Sequence, residues 1–281
     1  MLHLLTVLLT ISLFFPSLLK AFVVKEPVIN IYVSPEENTE INTQAIYGSA
    51  LEVAEKREGW WKVRLPDGEE GWIQSFRISH NSSFENNANL RPVKSLFANV
   101  FRTDDTAASP PLLTLPYGAK IKLINTVDTG ERWVRIELAS GESAWIQRGD
   151  VDFSPKTKTL EETIQLSKKF LGLPYAWGGV STYGMDCSGF MQMLFKEMGL
   201  LLPRNSRQQV QSDLFSTVQR SDLQQGDLIF FTDGKKIHHV GLYLGNDEFI
   251  HAGVRDNAPL VMISNLNTSK YTYSLARRIK Q

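Results

Sequence analysis

The sequence predicts a multidomain chain, two small all-β barrels followed by a larger α+β domain. Three observations carry this. Tryptophan-bearing segments repeat before Asp150, the texture changes to helical spacing after it, and a lone cysteine stands at the head of an amphipathic run that precedes strand-rich sequence. With 281 residues, 42% of them hydrophobic and 21% charged, the chain has material for several cores and is not a wholly disordered one. Its 19 glycines and 12 prolines exclude a collagen-like chain. Thirty basic and thirty acidic residues cancel, which argues against a nucleic-acid binder working by phosphate attraction. One cysteine excludes a disulfide framework, a four-cysteine zinc site and an iron–sulfur cluster.

The first element is Leu4 to Leu19, an apolar run broken only by Thr6, Thr10, Ser12, Pro16 and Ser17. Its length is short for a bilayer span and suits the core of a signal peptide over residues 1–21, cleaved near Ala21. An exported protein without stable membrane insertion is expected, in the periplasm or cell envelope or secreted. No cysteine follows the run, so a lipoprotein anchor is excluded. Removing residues 1–21 takes away one lysine and no acid, leaving 29 − 30 = −1.

The repeat comes next. Residues 59–74 (GWWKVRLPDGEEGWIQ) align with residues 131–147 (ERWVRIELASGESAWIQ), pairing Trp60 with Trp133, Val63 with Ile136, Gly68 with Gly141 and Trp72 with Trp145. Upstream, Tyr47-Gly48 answers Tyr117-Gly118. Short alternating strands and glycine turns predict two copies of one module, over residues 25–80 and 92–153, with Trp60, Trp72, Trp133 and Trp145 filling the cores. The polar, aperiodic stretch within residues 81–91 reads as the linker. After Asp150, Leu160, Ile164, Leu166, Phe170 and Leu171 mark a helix opening a third domain, residues 155–281.

Cys187 lies within PYAWGGVSTYGMDCSGFMQMLFKEMG, residues 174–199. Phe190, Met191, Leu194, Phe195 and Met198 form a helical stripe, with Asp186 as N-cap and Cys187 at the first helical position. Free N–H groups and the dipole there are expected to lower the thiol pKa and to hold an oxyanion. A cysteine nucleophile needs a base. His3 leaves with the signal and His80 sits in polar sequence at a module end. Strands are expected at Leu228 to Phe231, Ile237 to Leu244 and Glu248 to His251. Alternation puts His239, Gly241 and Tyr243 on one face and His238 on the other. A hairpin centred on Gly245 sets His239 opposite His251, so one imidazole orients the other.

The motifs PYAWGG, DCSGF, LPRNSRQQ, GDLIFF, HHVGLYLG and FIHAG, in this order, resemble the NlpC-type cell-wall cysteine peptidases, a papain-like family. The repeat, and above all TQAIYGSALEVAEKREGWWKVRLPDGEEGW, resembles bacterial SH3-like domains. The resemblance implies a Cys187–His239–His251 triad with no metal and no cofactor, and Tyr175 helping the oxyanion. It implies that Trp177 walls the cleft, a core role being the alternative, that Arg204, Ser206 and Gln209 form a structural clasp, and that Asp227 caps a strand. Asp186 and Ser188 would meet a stem peptide with a free N-terminal L-alanine. Relatives close the cleft with a Glu and a Tyr of the first SH3-like module; here Ser49 stands in the first place and Glu69 in the second, which either removes the free-amine requirement or moves the anionic contact to Glu69. The implied function is an endopeptidase cutting the γ-D-glutamyl–diamino acid (diaminopimelate) bond of peptidoglycan or released muropeptides. The alternatives are an N-acetylmuramoyl-L-alanine amidase or other wall amide hydrolase, and, in another class, a non-catalytic wall-binding protein. Oligomeric state is not legible.

Overall fold

The structure, a computed structural model, describes residues 22–81, 84, 88–125, 128–255 and 258–280. The apolar run with its cleavage point at Ala21, and part of the expected linker, lie outside the described residues. Among the described residues no helix is long and apolar enough to cross a membrane.

The first module contains β1 (Phe22–Val24), β2 (Val28–Tyr32), β3 (Ile41–Ile46), β4 (Ala50–Arg57), β5 (Trp60–Arg64), β6 (Glu70–Gln74) and β7 (Ile78–Ser79). They form one antiparallel sheet in the order β3-β2-β6-β5-β4-β1-β7. The second contains β8 (Leu90–Pro92), β9 (Phe97–Phe101), β10 (Leu113–Pro116), β11 (Lys120–Leu123), β12 (Trp133–Glu137) and β13 (Ser143–Gln147), in the order β10-β9-β13-β12-β11-β8. Leaving out β7, which has no counterpart strand, replacing each strand by its repeat partner turns one order into the other. The match reaches the register: Trp60 pairs with Gln74 and Val63 with Gly71, as Trp133 pairs with Gln147 and Ile136 with Ala144. Gly68 and Gly141 take the same turn at positive φ, each N–H donating to a leucine carbonyl three residues back.

The tryptophans correct one expectation. Aliphatic residues fill the cores, among them Ile29, Ile31, Val63 and Ile73 in one and Val100, Leu115, Ile121 and Ile146 in the other. Only Trp72 of the four is buried. Trp60 and Trp133 lie half-buried at the margin, each meeting a neighbouring ring edge-on. A large ring whose rim still reaches water suits the border of so small a core better than its centre.

The third region begins with α1 (Leu160–Lys168), closed at its start by a capping box between Thr159 and Glu162. A two-stranded ladder, β14 (Val180–Ser181) and β15 (Gly184–Met185), leads into α2 (Cys187–Glu197), followed by the single turn α3 (Ser206–Gln209). The strands β16 (Phe215–Val218), β17 (Leu228–Thr232), β18 (Ile237–Gly245), β19 (Glu248–Arg255), β20 (Ala258–Asn265) and β21 (Thr272–Ile279) form an antiparallel sheet in the order β16-β21-β17-β18-β19-β20. Phe190, Met191, Leu194 and Phe195 bury one face of α2 against Phe230, Val240, Leu242 and Ile250 of this sheet. Asp227 is buried ahead of β17, accepting from the Gln224 N–H and pairing with Arg278.

Docking between the regions fixes what faces the helix start. Tyr47 is buried among core residues of the second module, its hydroxyl accepting from Ala139 N–H at 2.7 Å. Its repeat partner Tyr117 meets the Phe170 ring edge-on at 5.2 Å. The edge strand β3 lies along the 174–181 segment, where Gln44 accepts from Val180 N–H and Ile41 abuts Gly178.

Candidate active site

Asp186 caps α2 as expected, accepting from Gly189 N–H at 2.7 Å, and Cys187 takes the first helical position. The thiol is buried against β18, with the backbone N–H groups of Val240 and Ser188 close enough to favour its anion. Burial, then the Asp186 carboxylate, pushes the thiol up to about 12, against the two N–H groups and Arg204, which favour the anion. This overturns the expected lowering: the helix terminus acts as foreseen, but desolvation outweighs it.

His239 precedes Val240 in β18. Its Nε2 lies 2.8 Å from His251 Nδ1, with the rings almost perpendicular. His251 Nε2 in turn lies 3.0 Å from Ser264 Oγ on β20. Burial above all lowers His239 well below the ordinary imidazole value and takes His251 to about 3, so both rings are neutral near pH 7. A His239 that accepts a proton at Nδ1 must carry hydrogen on Nε2. It then donates to His251, which donates from Nε2 to Ser264. His238 is exposed, and the expected alternation breaks there: a bulge pairs Phe231 with His239 but Thr232 with Ile237, and the His238 ring lies 6.5 Å from that of His239.

The register differs from the expected one. Leu242 pairs with Ile250 and Tyr243 with Phe249, so Gly241 stands opposite His251 and Gly253 opposite His239. The reversal occupies Asn246 and Asp247, both at positive φ, and a bulge follows Tyr243. The histidines are diagonal neighbours rather than direct partners, still on one face. Two glycines make room for them. A Cβ at Gly241 would come within 3.2 Å of the His251 Cβ, and one at Gly253 within 2.7 Å of His251 Nδ1.

Asp186 and Ser188 are tied to each other and to Arg204 within a buried network. Five donors occupy the carboxylate: Gly178 N–H, Gly189 N–H, the Ser188 hydroxyl and both terminal nitrogens of Arg204, at 2.9 and 2.6 Å. No lone pair is left for a substrate ammonium. Arg204 is 1% exposed and also donates from Nε to Thr43 Oγ1 at 2.8 Å, so a hydroxyl of the first module completes a buried network beneath the nucleophile. Gln209 donates to the Ser188 and Pro203 carbonyls, holding α3 to the same corner.

The remaining expected residues lie around this centre. Tyr175 is half-buried, and burial, followed by Cys187 and Asp186, raises its phenol, which therefore keeps its proton as a donor. Trp177 is 64% exposed, which excludes a core role. Glu69 is half-buried at the module boundary, accepting from Asn42 at 3.1 Å and from Asn205, beside Arg204, at 3.5 Å. Sequence reasoning missed Gly241, Gly253, Ser264 and Thr43. Only the glycines left a signal, each standing two residues beyond a histidine. Among the described residues no three His, Cys, Asp or Glu side chains are grouped to hold a metal ion.

Comparison with known proteins gives the family. Residues 172–279 match the NlpC/P60 family and residues 31–76 the bacterial dipeptidyl-peptidase Sh3 domain. A γ-D-glutamyl-L-lysine dipeptidyl-peptidase of Bacillus cereus is 32% identical over 262 residues, 85% of this chain and 75% of that one. The Bacillus subtilis protein of the same name is 32% identical over 75% of this chain and 72% of its own. The crystal structure of an NlpC/P60 family protein from Bacillus cereus superposes with a TM-score of 0.80 at 27% identity, covering 92% of this chain and 99% of that one. The chain belongs to the NlpC/P60 family of cysteine peptidases and carries a bacterial Sh3 domain ahead of its peptidase domain.

Proposed function

We propose that this protein is an exported cysteine endopeptidase that hydrolyses the γ-D-glutamyl–diamino acid bond of peptidoglycan stem peptides. The observation that carries the reading is the convergence of a buried thiol at a helix start, packed beside Val240 of β18, with a neutral imidazole on the preceding residue His239 that is itself bonded to a second imidazole. The names of the Bacillus relatives supply the bond. Cys187 Sγ attacks the carbonyl carbon while His239 Nδ1 takes the thiol proton. Tyr175 and the first-turn N–H groups of α2 receive the oxyanion. Collapse expels the amine, which takes its proton from His239. Water, deprotonated by the same imidazole, releases the acyl group from sulfur. Because the resting pair is neutral, the charge separates only as sulfur attacks.

Both modules are read as SH3-like barrels at 25–80 and 92–153, supported by their common strand order, with the peptidase domain at 155–281 and a signal at 1–21. Trp177 is assigned to the cleft wall. Asp186 and Ser188 hold Arg204 rather than substrate. Glu69, a half-buried acid held by Asn42 and by Asn205 beside Arg204, is assigned to the substrate amine. The experiment is incubation of the purified protein with L-Ala-γ-D-Glu-diamino acid peptides and with muropeptides, the products being identified by mass spectrometry. Release of the dipeptide supports the reading. Cleavage between muramic acid and L-alanine would replace it with an amidase.

A further inference from the structure

Resting on the reading of His239 as the base, we propose that Tyr271 is a positioning residue for it: the phenol ring, laid flat on the imidazole, holds His239 at the rotation its bond to His251 defines and screens its face from water. The rings lie 4.1 Å apart between centroids and 9° from parallel. Such a clamp has a definite task. A histidine's χ2 torsion is broad rather than staggered, so the ring plane must be set by its surroundings. The bond from Nε2 to His251 fixes one atom and leaves the ring free to swing about it. A parallel surface at stacking distance removes that freedom. Phe231, 5.6 Å away and tilted by 43°, does not provide one.

Tyr271 is itself held in place. Its hydroxyl accepts from Val254 N–H at 3.3 Å, and its backbone N–H donates to Ser269 Oγ at 3.1 Å. The same ring meets His251 edge-on at 5.4 Å and 87°, so one side chain borders both imidazoles. Gly253 is what admits it: a Cβ there would stand 2.8 Å from the tyrosine hydroxyl. The titratable groups around His239 are His251, His238 and Lys270, with Cys187 on the facing helix and Tyr175 near Tyr271. Lys270 lies 5.5 Å over the tyrosine ring and disfavours protonation of both histidines.

The full chain is assayed on the L-Ala-γ-D-Glu-diamino acid peptide as wild type, Tyr271→Leu, Tyr271→Phe and His239→Ala, with circular dichroism to confirm folding. Tyr271→Leu is expected to lower kcat at least tenfold with KM within threefold. It should also move the acid limb of kcat/KM upward by half a pH unit or more, because the imidazole regains water. Tyr271→Phe keeps the ring and should restore kcat to within threefold of wild type. A parallel measurement needs no peptide: the pH profile of Cys187 alkylation by iodoacetamide should shift in Tyr271→Leu and not in Tyr271→Phe. Wild-type kcat and acid limb in Tyr271→Leu, with His239→Ala inactive, would overturn the positioning role alone. A Phe variant as poor as the Leu variant would overturn the stacking and point to the hydroxyl. Full activity in His239→Ala would remove the base assignment, and this proposal with it.

Discussion

Replacing Arg204 by methionine tests whether the buried network under Cys187 holds the peptidase domain together. Arg204 is 1% exposed and gives Asp186 two charged hydrogen bonds, at 2.9 and 2.6 Å. Methionine preserves the unbranched stem and removes the charge. Asp186 keeps Gly178 N–H, Gly189 N–H and the Ser188 hydroxyl but is left a buried anion without a counter-charge. Breaking such a pair from one side costs about 3–5 kcal/mol. The three remaining donors place this case near the lower end, about 3 kcal/mol, or roughly a hundredfold in the unfolding constant. Urea titration followed at 222 nm is the assay, because α1, α2 and α3 all lie in the peptidase domain. The double variant Asp186→Asn/Arg204→Met should recover about 1 kcal/mol or more, since a neutral amide can still cap the helix. A loss under about 1 kcal/mol in Arg204→Met, or strictly additive losses in the double variant, would refute the account.

Cys187→Ala should abolish hydrolysis and leave the fold intact. His239→Ala should be equally severe and His238→Ala mild, because His239 is buried against His251 while His238 is exposed; peptide turnover by the three proteins decides. The histidine pair should make stability sensitive to acid. The unfolded rings protonate near pH 6.5, whereas burial has lowered both folded values, so stability is complete above about pH 6.5 and falls as pH drops through that window towards the folded values. At pH 5 the loss is roughly 2 kcal/mol per imidazole, read from urea midpoints between pH 7 and 5; a slope unchanged in His251→Asn would contradict it. Glu69→Gln should raise KM for peptides with a free amine and leave their acetylated forms unaffected. Deleting residues 25–80 should impair cleavage of small soluble peptides as well as of wall, which peptide kinetics on the truncated protein would test.

Much of the fold was legible because its signals are local. The N-cap at Asp186, the apolar stripe of α2 and the repeated turns at Gly68 and Gly141 each depend on a few adjacent residues. Strand alternation did not foresee the bulge at His238, which leaves its ring beside those of His239 and Tyr271. The hairpin register was misjudged by two residues because the reversal occupies Asn246-Asp247 rather than centring on Gly245, and a bulge absorbs the difference. An even shift preserves the face, which is why His239 and His251 still meet. The thiol pKa was misread for another reason. A helix start can be recognised in sequence, but the desolvation opposing it comes from β18, more than fifty residues downstream. Arg204 and Thr43 are 161 positions apart, and no periodicity links them.

The way the repeats dock explains why a module distant in sequence bears on the nucleophile. Both copies carry a Tyr-Gly corner whose glycine has positive φ, and in both the tyrosine packs against another part of the chain. Tyr47 enters the second module, while Tyr117 packs against Phe170 of the peptidase domain, with Glu197 at the end of α2 near its hydroxyl. Gly48 is fitted so closely that a Cβ would lie 2.2 Å from the Lys120 carbonyl oxygen. With the second module seated against the start and end of the helical layer, β3 of the first is carried to the other end of α2. There Thr43 reaches Arg204, Gln44 reaches Val180 and Asp67 accepts from Gln192. A tether would need none of these contacts. A wall of the cleft needs all of them, because the corner that caps α2 also sets the position of Cys187.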